Sequence, residues 1–228
     1  MDALKEQMMR DFQLRGITLR TQKKYLREVT NLANYFGKSP EEVGEEEVKE
    51  YLAHMLEERK LSRGTYRTYV AGIKFLYTTT LNRAEVVEKI RYPKALKKLP
   101  VVLDLAEVKS LLSVTENLKH RALLTITYSA GLRVSEAASL RVTDIDSKRM
   151  MVRVQQGKGG KDRYSILSQS ALELLRKYWR QYRPKEWLFE GRKEGTRICY
   201  TAIRNIFFEA KKRAGITKPA SVHTLRHS

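Results

Sequence analysis

Cysteine is almost missing from this sequence. Cys199 is the single one in 228 residues, so no disulfide can form within the chain and a reducing cytoplasm is the expected setting. Long apolar runs are missing too: none approaches the roughly 20 residues that a membrane-spanning helix requires, and no membrane association is expected. The first residues, MDALKEQMMRDF, mix acids and bases in an amphipathic pattern and hold no secretory apolar region. No internal repeat and no low-complexity segment occurs. At 42% hydrophobic and 31% charged residues, the chain has the balance of a globular protein and not of a disordered one. Its length suits one large domain or two small ones.

Acids are scarce relative to bases. Lys and Arg total 45 against 26 Asp and Glu, a net charge of +19. An excess of that size calls for a polyanionic partner, and nucleic acid is the leading candidate over a basic but inert surface. The excess is uneven. Residues 1–92 carry 17 bases and 14 acids, whereas residues 93–228 carry 28 bases and 12 acids, which implies two domains with different work.

Residues 1–92 read as helices throughout. Leu4, Met8 and Phe12 recur at helical spacing before Gly16, and Tyr25, Val29, Leu32 and Phe36 form a stripe stopped by Gly37. Ser39-Pro40-Glu41 has the residue order of a helix start, with an N-cap, a proline in the first turn and then an acid. Val48, Leu52 and Met55 mark an acidic helix, and Tyr69, Ile73 and Leu76 mark another, giving a small helical bundle. Basic side chains concentrate in residues 10–27 and 59–74, so Arg20, Lys23, Lys24, Arg63 and Arg67 are the candidates to face DNA. Proline, otherwise thin, brackets Tyr92-Pro-Lys-Ala-Leu-Lys-Lys-Leu-Pro100. This stretch reads as an extended basic linker at 93–100 whose Lys97 and Lys98 can lie along a phosphate backbone.

Beyond the linker, residues 101–228 read as a second domain. Asp104 and Glu107 form a capping box ahead of Val108, Leu111 and Leu112. A helix from about His120 to Ser129 ends at Gly131, and Asp144 and Asp146 read as turn and cap residues. Alternation then places Met150, Val152 and Val154 on one face of a strand, with Tyr164 to Leu167 as its partner across QGKGGKDR. Ser168 caps a helix containing Leu172, Leu175 and Trp179, and a helix over Thr201 to Ala214 ends at Gly215. The fold class expected is mainly α with a small antiparallel β-sheet.

Three separated pieces carry chemistry. In SAGLRVSEAASLRVTDID, glycine beside Arg133 lets a phosphate approach the backbone while the guanidinium donates two hydrogen bonds. In GKGGKDR, a hairpin lysine surrounded by positive charge can give up a proton, although glycine–lysine hairpin tips are also commonplace. The spacing is not that of a phosphate-binding P-loop. In His223-Thr-Leu-Arg226, imidazole and guanidinium share one helix face. His227 lies one turn from His223, but no H-E-x-x-H pattern or cysteine ligand accompanies the pair, so no metal site is assigned.

In this order the three pieces resemble the tyrosine recombinase family, the phage integrases and Xer-type recombinases. The motifs of that family are an arginine in a G-L-R-x-S-E box, a hairpin lysine, an H-x-x-R pair, a later His or Trp, and a tyrosine nucleophile. The resemblance implies Arg133, Lys158, His223 and Arg226 as catalytic residues, with Lys161 and Arg163 of the hairpin near DNA. It implies an N-terminal SAM-like helical bundle at 1–92 that clamps double-stranded DNA, and an α+β catalytic domain at 101–228. It also implies a homo-oligomer on DNA, a tetrameric synapse, in a bacterial or archaeal cytoplasm, often on a mobile element. No cofactor is needed, because transesterification by a tyrosine hydroxyl conserves the energy of the phosphodiester bond. All twelve tyrosines precede the H-x-x-R pair, the last being Tyr200, and the sequence stops two residues after Arg226. The expectation is therefore an incomplete catalytic domain: a recombinase chain that binds DNA and lacks its nucleophile. A catalytically inactive DNA-binding regulator is the alternative. A metal-dependent nuclease or transposase, which needs converging acids, is a third.

Overall fold

The computed structural model describes residues 2–94, 99–155 and 162–228. The chain divides into two compact units, Met1–Lys97 and Lys98–Ser228, each with its own apolar core. Among the described residues no helix is long and apolar enough to cross a membrane.

The first unit is a bundle of α1 (Asp2–Leu14), α2 (Leu19–Phe36), α3 (Glu45–Glu57) and α4 (Arg63–Phe75), extended by a π-turn over Leu76–Thr80. The expected stripes make its core: Leu4, Met8 and Phe12 of α1 meet Val29 and Leu32 of α2, Val48 and Leu52 of α3, and Ile73 of α4. The Phe12 and Phe75 rings lie 4.8 Å apart between centroids. The start signal at Ser39 behaves differently from its reading. Pro40–Glu42 makes only a turn of 3₁₀ helix, and the Ser39 hydroxyl bonds the Glu41 carboxylate at 3.0 Å and caps no backbone N–H. Helix α3 begins five residues later, where the Gly44 N–H donates to the Glu47 side chain at 2.9 Å. The Pro40 carbonyl accepts both the Val43 N–H at 3.3 Å and the buried Tyr77 hydroxyl at 2.8 Å.

In the second unit, α5 (Leu105–Ser113), α6 (Leu118–Ser129) and α8 (Gln169–Tyr182) pack with α9 (Tyr200–Arg213) around one core. Two short helices, α7 (Val134–Ala138) and α10 (Thr224–His227), come between and after them. The Asp104–Glu107 capping box forms as expected, and the Ser168 hydroxyl accepts from the Ala171 N–H at 3.3 Å. On α8 the fully buried aromatic is Tyr178; Trp179, expected in the stripe, is 40% exposed with the Arg183 guanidinium 4.3 Å from its ring centroid.

The sheet has three antiparallel strands, β1 (Ile145–Asp146), β2 (Met151–Val154) and β3 (Arg163–Ile166), in that order, one more than the hairpin expected. Val152 and Val154 of β2 are buried, whereas Met150 precedes the strand in a turn with φ of 52°. In β3 the polarity is inverted. Tyr164 and Ile166 face outward, while Arg163 and Ser165 face in. The reason is the neighbour: the Ser165 hydroxyl donates to the Ala130 carbonyl at 2.7 Å, docking this strand on the polar turn that ends α6. Asp144 and Asp146 take the turn and cap roles read for them, accepting from the backbone N–H groups of Arg141, Lys148 and Arg149.

Candidate active site

The turn after α6 sets the site. Gly131 adopts φ of +56°, a left-handed conformation in which a β-carbon is strained, and it lies against the Arg226 side chain. The chain then enters α7 with Arg133 as N-cap residue and Glu136 three residues on, where the Glu136 carboxylate accepts the Arg133 N–H at 2.8 Å. This capping arrangement buries Glu136, whose side chain is only 4% exposed.

Three guanidinium groups converge on that carboxylate. Arg133 Nη1 donates to Oε1 at 2.8 Å from the same helical turn. Arg163, inward on β3, donates through both Nη atoms to the two oxygens, each at 2.8 Å. Arg226 Nη1, from α10, stands 3.6 Å from Oε2. A buried carboxylate without partners is costly. Burial pushes the Glu136 carboxyl up, but hydrogen bonds from Arg163, then from the backbone and side chain of Arg133, outweigh it and hold it at about 2. It stays charged and pins cations that would otherwise repel. One carboxylate does not neutralise three guanidiniums, so the site keeps an excess of positive charge. Arg226 Nη1 is buried and has no hydrogen-bond partner among the described residues, which leaves a donor for an incoming anion.

Arg133 and Arg226, 93 residues apart in sequence, are thus brought onto one group. His223 is exposed at the start of α10, and none of the hydrogen bonds around Glu136 involves it. Lys158 and Lys161 lie outside the described residues, as do Lys97 and Lys98. Arg163 donates one hydrogen bond from each Nη atom to Glu136, so it braces the site. Glu136 is the acid of the G-L-R-x-S-E box, but the sequence assigns it no role; an acid three residues after the N-cap is also common at ordinary helix starts.

In the bundle, Arg20, Lys23, Lys24, Arg63 and Arg67 are all exposed. Lys24 and Arg27 of α2 line a cleft of about 480 Å³ with Ser62, Thr65 and Thr68 at the head of α4, and the Arg67 guanidinium lies 5.1 Å from the Tyr92 ring centroid. Among the described residues there is no group of three or more His, Cys, Asp or Glu side chains placed to hold a metal ion.

Comparison with known proteins agrees with this architecture. Residues 101–228 match the phage integrase family, and residues 4–85 match the phage integrase N-terminal SAM-like domain. An integrase/recombinase-named protein of Sinorhizobium fredii, y4qK, is 44% identical over 229 residues, spanning 100% of this chain and 74% of that protein. The tyrosine recombinase XerD of Listeria monocytogenes is 28% identical over 236 residues, covering 94% of this chain and 78% of its own. Among solved structures, a lambda integrase(75–356) dimer bound to a COC′ core site superposes with a TM-score of 0.78 at 17% identity, covering 100% of this chain and 87% of that one. XerH recombinase bound to its difH substrate gives 0.74 at 22% identity, covering 98% and 71%. The chain belongs to the phage integrase family of tyrosine recombinases.

Proposed function

We propose that this protein acts in site-specific DNA recombination or integration, and that residues 1–228 supply duplex binding and the cations that activate the scissile phosphate. The observation that carries this reading is the convergence of Arg133 and Arg226 beside a buried, ionised Glu136. The working division is a DNA-binding bundle at 1–92, a basic linker at 93–100 and a catalytic domain at 101–228.

In the reaction, a tyrosine oxygen attacks phosphorus, the sugar 5′ oxygen departs, and a phosphotyrosine bond preserves the energy for rejoining. Negative charge spreads over the non-bridging oxygens, which Arg133 and Arg226 hold. His223 takes the proton of the attacking hydroxyl and Lys158 protonates the leaving oxygen. The later 5′ hydroxyl attack reverses these transfers and frees the tyrosine. No cofactor enters. A homo-oligomer on DNA, a tetrameric synapse, supplies the paired duplexes, as in the lambda integrase tetramer bound to a Holliday junction, which shares this fold. The setting is a bacterial or archaeal cytoplasm, on a mobile element.

No described tyrosine hydroxyl hydrogen-bonds Arg133, Arg226 or Glu136, and Tyr200 is exposed at the first turn of α9. On this reading, residues 1–228 alone bind DNA without forming a covalent adduct. The test is a suicide substrate. Residues 1–228 yield no adduct, joining or adding a tyrosine-bearing segment restores it, and Arg133→Ala or Arg226→Ala abolishes it again. An adduct formed by residues 1–228 alone would refute this assignment and point to the tyrosines present, beginning with Tyr200.

A further inference from the structure

A second group of cations lies beyond Glu136. Ser135, Ser139, Arg141, Trp187 and Arg197 line a cleft of about 350 Å³, with Glu136 in its wall. The Arg141 and Arg197 guanidinium carbons stand 4.9 and 6.0 Å from the Trp187 ring centroid. Neither arginine is among the residues assigned to the active site.

The backbone holds this group in place. Arg141 and Trp187 form an antiparallel bridge, flanked by hydrogen bonds from the Val142 N–H to Glu186 at 3.0 Å and from the Leu188 N–H to Leu140 at 2.8 Å. Arg197 projects from a loop closed by the Gly191 N–H on the Thr196 carbonyl at 2.6 Å. A β-carbon at Gly191 would fall 2.7 Å from Thr196 Oγ1 and 2.9 Å from the Arg197 carbonyl, so the closure needs glycine. Arg197 Nη1 then donates to the Ser139 hydroxyl. Arg141 has Glu186 at 3.5 Å. Among the described residues no carboxylate comes within ion-pair reach of Arg197, which is exposed.

We infer that this cleft binds a second backbone phosphate of the bound DNA, next to the one held by Arg133 and Arg226. Arg197 and the Ser135 and Ser139 hydroxyls take its non-bridging oxygens, with Arg141 adding charge. A guanidinium packed against an indole keeps its N–H edge outward for a bidentate acceptor. A structural stack alone would not require an exposed cation without a counter-charge. The position suits the ligand, because Glu136 separates the two sites by one side chain and a DNA strand presents a phosphate about every 3.4 Å of its axis.

This inference rests on the DNA-binding reading, and the experiment separates the two. Binding of residues 1–228 to a labelled random-sequence duplex is measured across a salt series for the unsubstituted chain, Arg197→Gln and Arg197→Lys. For Arg197→Gln, affinity falls several-fold and the log–log salt slope loses about 0.9, the value of one phosphate contact. Arg197→Lys keeps the slope and loses part of the affinity, because charge remains while the fork geometry goes. An unchanged slope and affinity in Arg197→Gln with its thermal midpoint preserved overturns the inference and leaves DNA binding standing. If inorganic phosphate at matched ionic strength competes no better than chloride, the ligand is the DNA backbone. If it displaces DNA from the unsubstituted chain and not from Arg197→Gln, the cleft is a free-phosphate site and the inference fails. A duplex affinity of the unsubstituted chain that ignores salt removes both readings together.

Discussion

Each of the two units buries one glutamate, and the two are used differently. In the bundle, Glu28 on α2 is wholly enclosed: Arg27, the preceding residue and 62% exposed, lies at 2.8 Å, Asn31 of the next turn donates at 3.2 Å, and the Tyr69 hydroxyl of α4 hydrogen-bonds the same carboxylate. In the second unit, Glu136 draws partners from α7, β3 and α10. The first carboxylate takes its one cation from its own helix and a neutral hydroxyl from α4. The second fixes the mutual placement of three elements and of the cations they carry. A buried charge whose one cation is its sequence neighbour adds to stability, whereas one that gathers cations from separate elements builds a site, because each guanidinium is oriented before any anion arrives.

The largest expected effect separates catalysis from binding. In a polypeptide that also carries a tyrosine nucleophile, Arg133→Ala or Arg226→Ala should slow single-turnover cleavage by about 100- to 1,000-fold, the range for removing one donor to developing charge. Arg20→Ala or Arg63→Ala in the bundle should leave the rate at saturating protein unchanged and weaken only binding. Equal rate losses from both units would erase the distinction.

Stability should show the same contrast on a smaller scale. Glu136→Ala leaves Arg163 and Arg226 without their shared counter-charge and should cost about 3 kcal/mol. Glu28→Ala should cost about 2 kcal/mol, since Arg27 already reaches solvent while the buried Tyr69 hydroxyl loses an acceptor. Both tryptophans, Trp179 and Trp187, lie in the second unit, so their fluorescence in a urea titration follows that unit, while helical circular dichroism follows both. A Glu28→Ala loss as large as that of Glu136→Ala would contradict the comparison.

Acid should act on the second unit through the same carboxylate. Glu136 titrates near 2 when folded against an ordinary value of 4.5. Because the folded value is the lower one, its stabilisation is whole above pH 4.5 and is lost as pH falls toward 2. Between neutrality and pH 3 the loss should reach about 2 kcal/mol, read by tryptophan fluorescence. Glu136→Gln should flatten that slope; a steep slope persisting in the variant would assign the acid sensitivity elsewhere.

Much of this architecture was legible before the structure, and for identifiable reasons. The helices announce themselves through apolar stripes such as Leu4, Met8 and Phe12, and all three of those residues are buried. Arg133 and Arg226 are legible as motif residues, but what joins them is not. Glu136 closes the G-L-R-x-S-E box, yet nothing in that spacing says that Arg163 and Arg226 will meet on it until β3 and α10 pack beside α7. Arg163 looks like a surface cation because strand periodicity reads apolar residues as inward, and β3 turns its polar side toward a polar site. Strand β1 has two residues, too few for a period. Local patterns report local structure, and a site assembled over 90 residues of separation leaves only its pieces.

The smallest effect tests the same lesson with one substitution made twice. Ser39 and Ser168 both read as N-caps, one in each unit. In the structure Ser168 accepts the Ala171 N–H at 3.3 Å at the head of α8, a 14-residue helix whose Leu172 and Leu175 enter the core. Ser39 instead bonds a carboxylate at 3.0 Å and opens a turn of three residues. Ser168→Ala should therefore cost about 1 kcal/mol, the usual penalty for losing a cap. Ser39→Ala should stay within about 0.3 kcal/mol, because no backbone donor loses its acceptor. Urea midpoints by tryptophan fluorescence for the first and by circular dichroism for the second measure both. If the two substitutions cost the same, the Ser39 hydroxyl caps a helix in solution, and the contrast between the two serines would have to be abandoned.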